Sequence, residues 1–576
     1  MAPKRSASGG SKRASKRIRS SIPQIGASTA ADDTARLIAS HHLAEHAGGG
    51  ANYLSVRRER HAVESLKESS LHAAARAIFD AIRFRAKDVP GGVAAKKNSV
   101  GWDPNRDPSN QAEILASRHC VHELSEDTAD RLLSLVLYHS YTALQVPNDP
   151  GVSVVAIASI FFQDRISRLS LSSLSAPSIL LNQIPQCTAL VELDLSHSPT
   201  LSDAVLAKVL SRIPSLQKIN LKACTKVGDN SIKALATASG ACIKSTNLSF
   251  TAVGTKGLGA LLGHCPRLEV LKLEAVGNLN EKNVNLIVET ATNLSNGTFS
   301  IPLSNLRTLK LKNTLVTDAA LGRLLTLCAP TLARLDVSYT QLKSLDIVSS
   351  ALHTLPIWNL EKLVASGLPL TPASIENFFE PLAQHRTREE RDRFRVVKLG
   401  SIPATSTKAP GITDAVLARL LPHWENLKGL DKVSLYGNLY LAKTTEPMYS
   451  FLSKIGSRCR DLNLTNIPVD SYHLEGLLEP VTFDADGGDD HVLPTRLETL
   501  VLDSTKIDDR ALLSLGTCRK LRALHVAETR ITPTFLDGML KSCPDLSVLN
   551  LTSCRGIPVT QRRTFFDSYE KGQVET

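Results

Sequence analysis

At 576 residues, 42% of them apolar, the chain is long enough to bury a large core. Its formal charge of +11 resembles that of a nucleic-acid binder. However, Lys4, Arg5, Lys12, Arg13, Lys16, Arg17 and Arg19 carry +7 of it and leave +4 (11 − 7) for the rest, so the basic balance belongs to a tail and does not by itself make the folded part bind nucleic acid.

Residues 1–50 are rich in Ser, Gly, Ala and cations, lack apolar periodicity and read as a disordered basic tail. The charged start has no apolar core of a secretory signal. The longest apolar stretch, near residues 152–162, is too short and too broken by Ser to span a membrane, so no membrane contact is expected. Lys4-Arg5, then Lys16-Arg17-Ile18-Arg19 ten residues on, has the spacing of a bipartite nuclear import signal, two cation clusters meeting two acidic sites on an import carrier. The expectation is nuclear, with the cytoplasm also open; non-specific nucleic-acid binding by the tail is the competing reading. His42-x-x-Glu45-His46 spells an inverted zincin motif. It abuts three glycines in the tail, and neither metal nor cofactor is expected.

Residues 51–165 read as a helical N-terminal region. A long helix is expected from Tyr53 to about Lys87, with Leu71, Ala75, Ile78 and Ile82 at helical spacing, stopped by Pro90-Gly91-Gly92. A second opens near Ser125 and Thr128 and carries Leu132, Leu133, Val136 and Leu137.

From residue 166 to 560 one unit recurs, roughly thirteen times, before a C-terminal tail at 561–576. Leu195, Leu221, Leu248 and Leu273 follow one another at 26, 27 and 25 residues, and the phase returns at Leu311 and Val337. Such a period means a solenoid of short strands and amphipathic helices, each unit burying its apolar face only against its neighbours. Cys187, Cys242, Cys265, Cys328, Cys459, Cys518 and Cys543 precede strands at what reads as one repeat position; Cys224 and Cys554 share another. A position used once per unit is a packing position, so reduced thiols and an intracellular compartment are expected. Residues 291–305, 379–411 and 481–494 interrupt the rhythm.

Strand side chains alternate, so the residues between the apolar pairs face the concave side. There Lys218, Lys222, Lys272, Lys310, Lys312 and Arg334 form a basic stripe, opposed chiefly by Glu274 and Asp336, with Tyr339, Tyr436 and His525 adding aromatic contacts. Such a stripe suits a protein target with an acidic or phosphorylated segment, through charge-assisted hydrogen bonds. No phosphate-binding glycine loop, nucleophile elbow or metal-spaced cysteine pair is present in the sequence.

Cys265-Pro266-x-Leu268-x-x-Leu271-x-Leu273 and Cys543-Pro544-x-Leu546-x-x-Leu549-x-Leu551-x-x-Cys554, with Val316-Thr317-Asp318, resemble the cysteine-containing leucine-rich repeat. Among ribonuclease-inhibitor-like horseshoes the units are most similar to those of F-box leucine-rich-repeat substrate receptors. The resemblance implies an α/β leucine-rich-repeat solenoid, a right-handed horseshoe with a helical N-terminal region. It further implies a non-enzymatic scaffold that holds targets for a cullin-type (SCF-like) ubiquitin ligase, with the ligase adaptor and cullin as partners. A nuclear scaffold in DNA repair or chromatin complexes is the alternative. The stretch from Leu124 to Tyr141 stands where an F-box would, but no Leu-Pro pair opens it and no Trp follows. A divergent F-box and a plain cap over the first repeat both stay open.

Overall fold

The computed structural model of the chain describes residues 55–57, 70–74, 128, 132, 166–173, 181–182, 184–294, 303–404, 411–478 and 495–563. The strands are β1 (Ser55–Arg57), β2 (Arg168–Ser170), β3 (Glu192–Asp194), β4 (Lys218–Asn220), β5 (Ser245–Asn247), β6 (Val270–Lys272), β7 (Thr308–Lys310) and β8 (Arg334–Asp336). They continue as β9 (Lys362–Val364), β10 (Val396–Lys398), β11 (Lys432–Ser434), β12 (Asp461–Asn463), β13 (Thr499–Val501), β14 (Ala523–His525) and β15 (Val548–Asn550). β2 to β15 form one parallel sheet in sequence order, and β1 pairs antiparallel on β15. The chain is an α/β leucine-rich-repeat solenoid.

Every strand is three residues long, and in β2 to β15 the central side chain turns into the core before the chain bends away. The centres fall in register, Leu193 on Ile219, Leu271 on Leu309, Leu335 on Leu363 and Leu500 on Leu524, and all are buried. Thr246 is the polar exception. It is fully buried, and its hydroxyl has no hydrogen-bond partner among the described residues.

Four residues past each centre the backbone is left-handed in all fourteen repeats, with φ between 51° and 70°, and only Gly367 and Gly437 are glycines there. Such a conformation costs an ordinary residue about 1 kcal/mol. The N–H of that residue donates to a carbonyl of the next repeat, as Ala223 does to Ser249, Asn313 to Ser338 and Tyr339 to Ser366. One residue further on, a small polar side chain satisfies the turn. Thr251, Thr314, Thr340, Thr505 and Thr529 donate to the carbonyl three residues back, and the Cys224 and Cys554 thiols donate to carbonyls of the preceding repeat.

The Ser-Asp and Thr-Asp turns tie repeats together. Asp203 opens helix Asp203–Leu210, yet its carboxylate accepts from Gly228, Asn230 and Ser231, at the N-terminus of the next helix, Asp229–Ser239. Burial pushes that carboxyl up, but the bonds from Ser231, Gly228 and Asn230 outweigh it and hold it below the usual carboxylate range. Asp229, Asp318, Asp414 and Asp509 repeat the arrangement one unit apart.

Three expectations change. Fourteen parallel strands are described where roughly thirteen units were expected, and the charged stretch 379–411 lengthens the period without breaking the sheet. It contains helix Arg388–Arg393 and β10, whose centre is Val397 instead of Leu. Residues 55–57 lie in a strand where a helix was expected, paired with the last repeat's edge; residues 70–74, 128 and 132 are helical, with Leu71 and Leu132 buried. The cysteines before strands occupy more than one slot. Cys265, Cys518 and Cys543 lie six residues ahead of their strand centres. Cys459 lies three ahead, where Leu268 stands in its own unit, because the 3-10 turn Gly456–Arg458 shortens the descent. Cys242 is half-buried, since Ile243 beside it takes the core slot. The tail, the polar stretch from 295, residues 479–494 and those beyond 563 lie outside the described residues.

Candidate protein-binding face

Each repeat presents three side chains on the concave sheet, one residue before, one after and three after its strand centre. On β4 these are Lys218, Asn220 and Lys222; on β7, Thr308, Lys310 and Lys312. All eight residues singled out on this face lie between β4 and the turn after β11. The five of the tail, Lys4, Arg5, Lys16, Arg17 and Arg19, lie outside the described residues.

Register divides the cations into two groups. Lys218 is paired with Glu192 of β3, Lys312 with Glu274 at 3.0 Å and Arg334 with Glu361 at 3.3 Å, so these three are largely neutralised across strands. Lys272 and Lys310 are different. β6 and β7 place them directly opposite each other, and among the described residues neither has a carboxylate within ion-pair distance. Like charges directly opposed across a ladder destabilise a sheet. Burial first, then the charges of Lys310 and Lys222, hold the Lys272 ammonium below the ordinary lysine range.

The unpaired stripe runs on through two lysines that the repeat pattern missed, Lys362 on β9 and Lys398 on β10. Burial depresses Lys362, as do the charges of Lys398 and Lys310; Asp336 opposes them. Lys432, at the far end, is tied to Asp461. The acids that close the pairs, Glu192 and Glu361, lie one repeat from their partners.

Tyr339 and Tyr436 are 97 residues apart, yet their hydroxyls meet at 2.8 Å. Tyr339 follows β8 and reaches forward over β9; Tyr436 follows β11 and reaches back over β10. Both rings lie on glycine backbone. A Cβ on Gly367 would stand 2.4 Å from the Tyr339 ring, and one on Gly400 2.1 Å from the Tyr436 ring. Between them the sheet is joined by serines, with Gly400 N–H donating to Ser366 Oγ and Ser366 N–H to Ser338 Oγ. Burial, and the hydrogen bond and charge of Tyr436, push the Tyr339 phenol up to about 12. His525, on β14, is four strands beyond Lys398 and takes no part in this cluster.

Burial pushes the Cys265, Cys328, Cys459 and Cys543 thiols up to about 12, and among the described residues no cysteine is in a disulfide. Among the described residues no group of three or more His, Cys, Asp or Glu could hold a metal ion, and no helix is long and apolar enough to cross a membrane.

No family model and no curated protein matches the chain. Similar solved structures include the Rad7 and Elc1 complex in yeast, at 14% identity and a TM-score of 0.41, covering 80% of this chain and 96% of that one. An internalin (inlF) from Listeria monocytogenes has 18% identity and a TM-score of 0.38, covering 70% and 91%. The Toll–Spatzle complex of Drosophila has 15% identity and a TM-score of 0.32, covering 69% and 48%. At TM-scores below 0.5 these likenesses leave the architecture resting on this chain's own evidence: fourteen parallel three-residue strands, paired in sequence order, on a leucine period.

Proposed function

We propose that the chain is a non-enzymatic recognition scaffold whose concave sheet holds an acidic segment of a partner protein. We propose further that it serves, in the nucleus, as the substrate-binding subunit of a cullin-type ubiquitin ligase. The observation that carries the binding role is the Lys272–Lys310 pair. Two partly buried cations stand opposed in register, and among the described residues neither makes an ion pair, although Asp336 of β8 is the register partner of Lys310 on its other side. Water alone is a poor partner for such a pair; a carboxylate held between them forms charge-assisted bonds to both and removes their repulsion. The ligase role is supported by the likeness of the repeats to those of F-box receptors. In it the scaffold raises effective concentration and performs no chemistry itself.

The test is affinity purification of the tagged full-length chain from nuclear extract, beside the Lys272→Glu/Lys310→Glu variant, with partners identified by mass spectrometry. The expected result is cullin and adaptor with both forms, and targets with the unsubstituted form alone. Targets unchanged by the double substitution remove the concave site. Cullin and adaptor absent from both, with repair or chromatin proteins in their place and DNA affinity falling steeply with salt, favour the nucleic-acid scaffold.

A further inference from the structure

The tyrosine bridge is not explained by holding the sheet together. The strands beneath it are already hydrogen-bonded without a gap, from Tyr339 N–H to Ser366, Gly367 to Gly400 and Ser401 to Tyr436. Yet glycines stand just past β9 and β10 where the rings lie down, and a large aromatic residue is held at a left-handed φ of 55°. The bridge crosses three strand spacings, about 14 Å, along the solenoid. One hydroxyl of the pair donates to the other, which leaves a single phenolic O–H directed at neither ring. Tyr339 is 42% exposed.

The charge beside the bridge can be counted. Lys398 ends β10, two residues before Gly400, the backbone over which the Tyr436 ring lies. Lys362 interacts with Lys398, Lys310 and Asp336, while Arg334 is cancelled by Glu361. Three lysines and one aspartate leave +2 (3 − 1). A carboxylate ligand would leave half of that uncompensated. A phosphate monoester carries about −1.5 to −2 at neutral pH and has three acceptor oxygens, enough for two ammonium groups and a phenolic O–H.

We propose that Tyr339, Tyr436, Lys310, Lys362 and Lys398 form a subsite for a phosphate monoester on a side chain of the bound partner, with the two rings as the apolar platform for the carbon chain that carries it. The inference rests on the concave-face reading above and narrows its ligand from any acidic segment to a dianion at one place.

Fluorescence polarisation of the full-length protein with labelled degenerate peptide pools tests it. The pools differ at one fixed residue: phosphoserine, phosphotyrosine, Glu or Ser. The expected result is a phosphorylated pool bound at least about tenfold tighter than the Glu pool at pH 7.5, and which one leads identifies the parent side chain. That advantage should fall away as the pH drops through about 6, where the monoester takes up its second proton. Lys362→Ala/Lys398→Ala should abolish the preference. Tyr339→Phe/Tyr436→Phe keeps both rings, removes both hydroxyls, and should weaken the phosphorylated pool severalfold with the Glu pool unchanged. Equal binding of phosphorylated and Glu pools, both above Ser, overturns the subsite and leaves the acidic groove standing. Pools all equal to Ser overturn both. A Tyr339→Phe/Tyr436→Phe variant that loses thermal stability while keeping the phosphate preference makes the tyrosines a structural tie and refutes their part.

Discussion

Asp414 is the sharpest point at which to test how the repeats are coupled. It is buried at the start of helix Asp414–Glu425, and its carboxylate accepts from Ala442 N–H at 2.7 Å, Lys443 N–H at 2.9 Å, and Thr444 N–H and Oγ1–H at 2.8 and 2.9 Å. All four donors lie in the next repeat, just before helix Thr445–Lys454. In Asp414→Ala, the donors on exposed Lys443 and Thr444 turn to water, but Ala442 is buried and its N–H is left without an acceptor. An orphaned buried donor costs roughly 1–3 kcal/mol, and losing a capping acceptor about 0.5–2 kcal/mol. Together they predict a loss of about 2–4 kcal/mol. In a solenoid that loss acts at one nearest-neighbour interface. Native-state hydrogen exchange reads it directly: amides of helix Thr445–Lys454 and β11 should exchange roughly 30- to 700-fold faster at a tenfold change per 1.4 kcal/mol, while β2 to β4 hold their protection. Asp414→Asn, which keeps an acceptor, should lose far less. Protection changed by less than about threefold, or lost evenly along the chain, would refute the carboxylate as the coupling element.

Thr246→Val should stabilise the chain by about 1 kcal/mol, seen as a higher urea midpoint, because it removes a buried hydroxyl that has no partner; destabilisation would mean that the hydroxyl is satisfied. Lys310→Ser should also raise stability, by a few tenths of a kcal/mol, by relieving the repulsion with Lys272, while it weakens acidic-peptide binding; a fall in both would make Lys310 structural. Asp508 is held down to about 2 by its hydrogen bonds to Arg510. Since its folded pKa is depressed, its contribution is whole above about pH 4 and lost as the pH falls towards 2. An Asp508→Asn variant should lack that part of the acid-unfolding profile, and profiles that superimpose would count against it. Of the nine described cysteines, Cys242 alone should react with a thiol reagent in the native protein at pH 8, because the others are buried; fast labelling of Cys265 or Cys543 would contradict that packing.

What was legible in the sequence is what each repeat must state for itself. A leucine that faces the core has to recur in every unit, so the period and the face of Lys272 or Lys310 could be read from spacing alone. Contacts between units were legible only in part. Glu192 and Lys218 stand 26 residues apart, one full period, a spacing that could have paired them, yet Lys218 read as part of the basic stripe. Asp203 gave no such sign, since a helix-opening aspartate reads as serving its own helix. Lys362 and Lys398 were lost where the period stretches. Their strand centres lie 28 and 34 residues past the preceding ones, and Val397 replaces the expected leucine. The Tyr339–Tyr436 contact joins residues 97 apart and depends on glycines at 367 and 400, so no local pattern could announce it.

The two kinds of strain in the sheet also differ in what relieves them. The left-handed residue after each strand is strained in all fourteen repeats, and the fold relieves it from within: a backbone bond to the next unit, then a Thr, Cys or Asn against the turn. That strain is a property of the architecture and marks no site. The Lys272–Lys310 opposition is local: Asp336 of β8 stands in register opposite Lys310, but its carboxylate accepts from Ser338 N–H and makes no ion pair with that lysine, whereas Lys218, Lys312 and Arg334 each have a paired acid. Because the uncompensated charge is confined to the stretch from β6 to β10 that also carries the tyrosine bridge, the repulsion there is best relieved from outside, by an anionic partner. Stability given up at those lysines is then regained on binding.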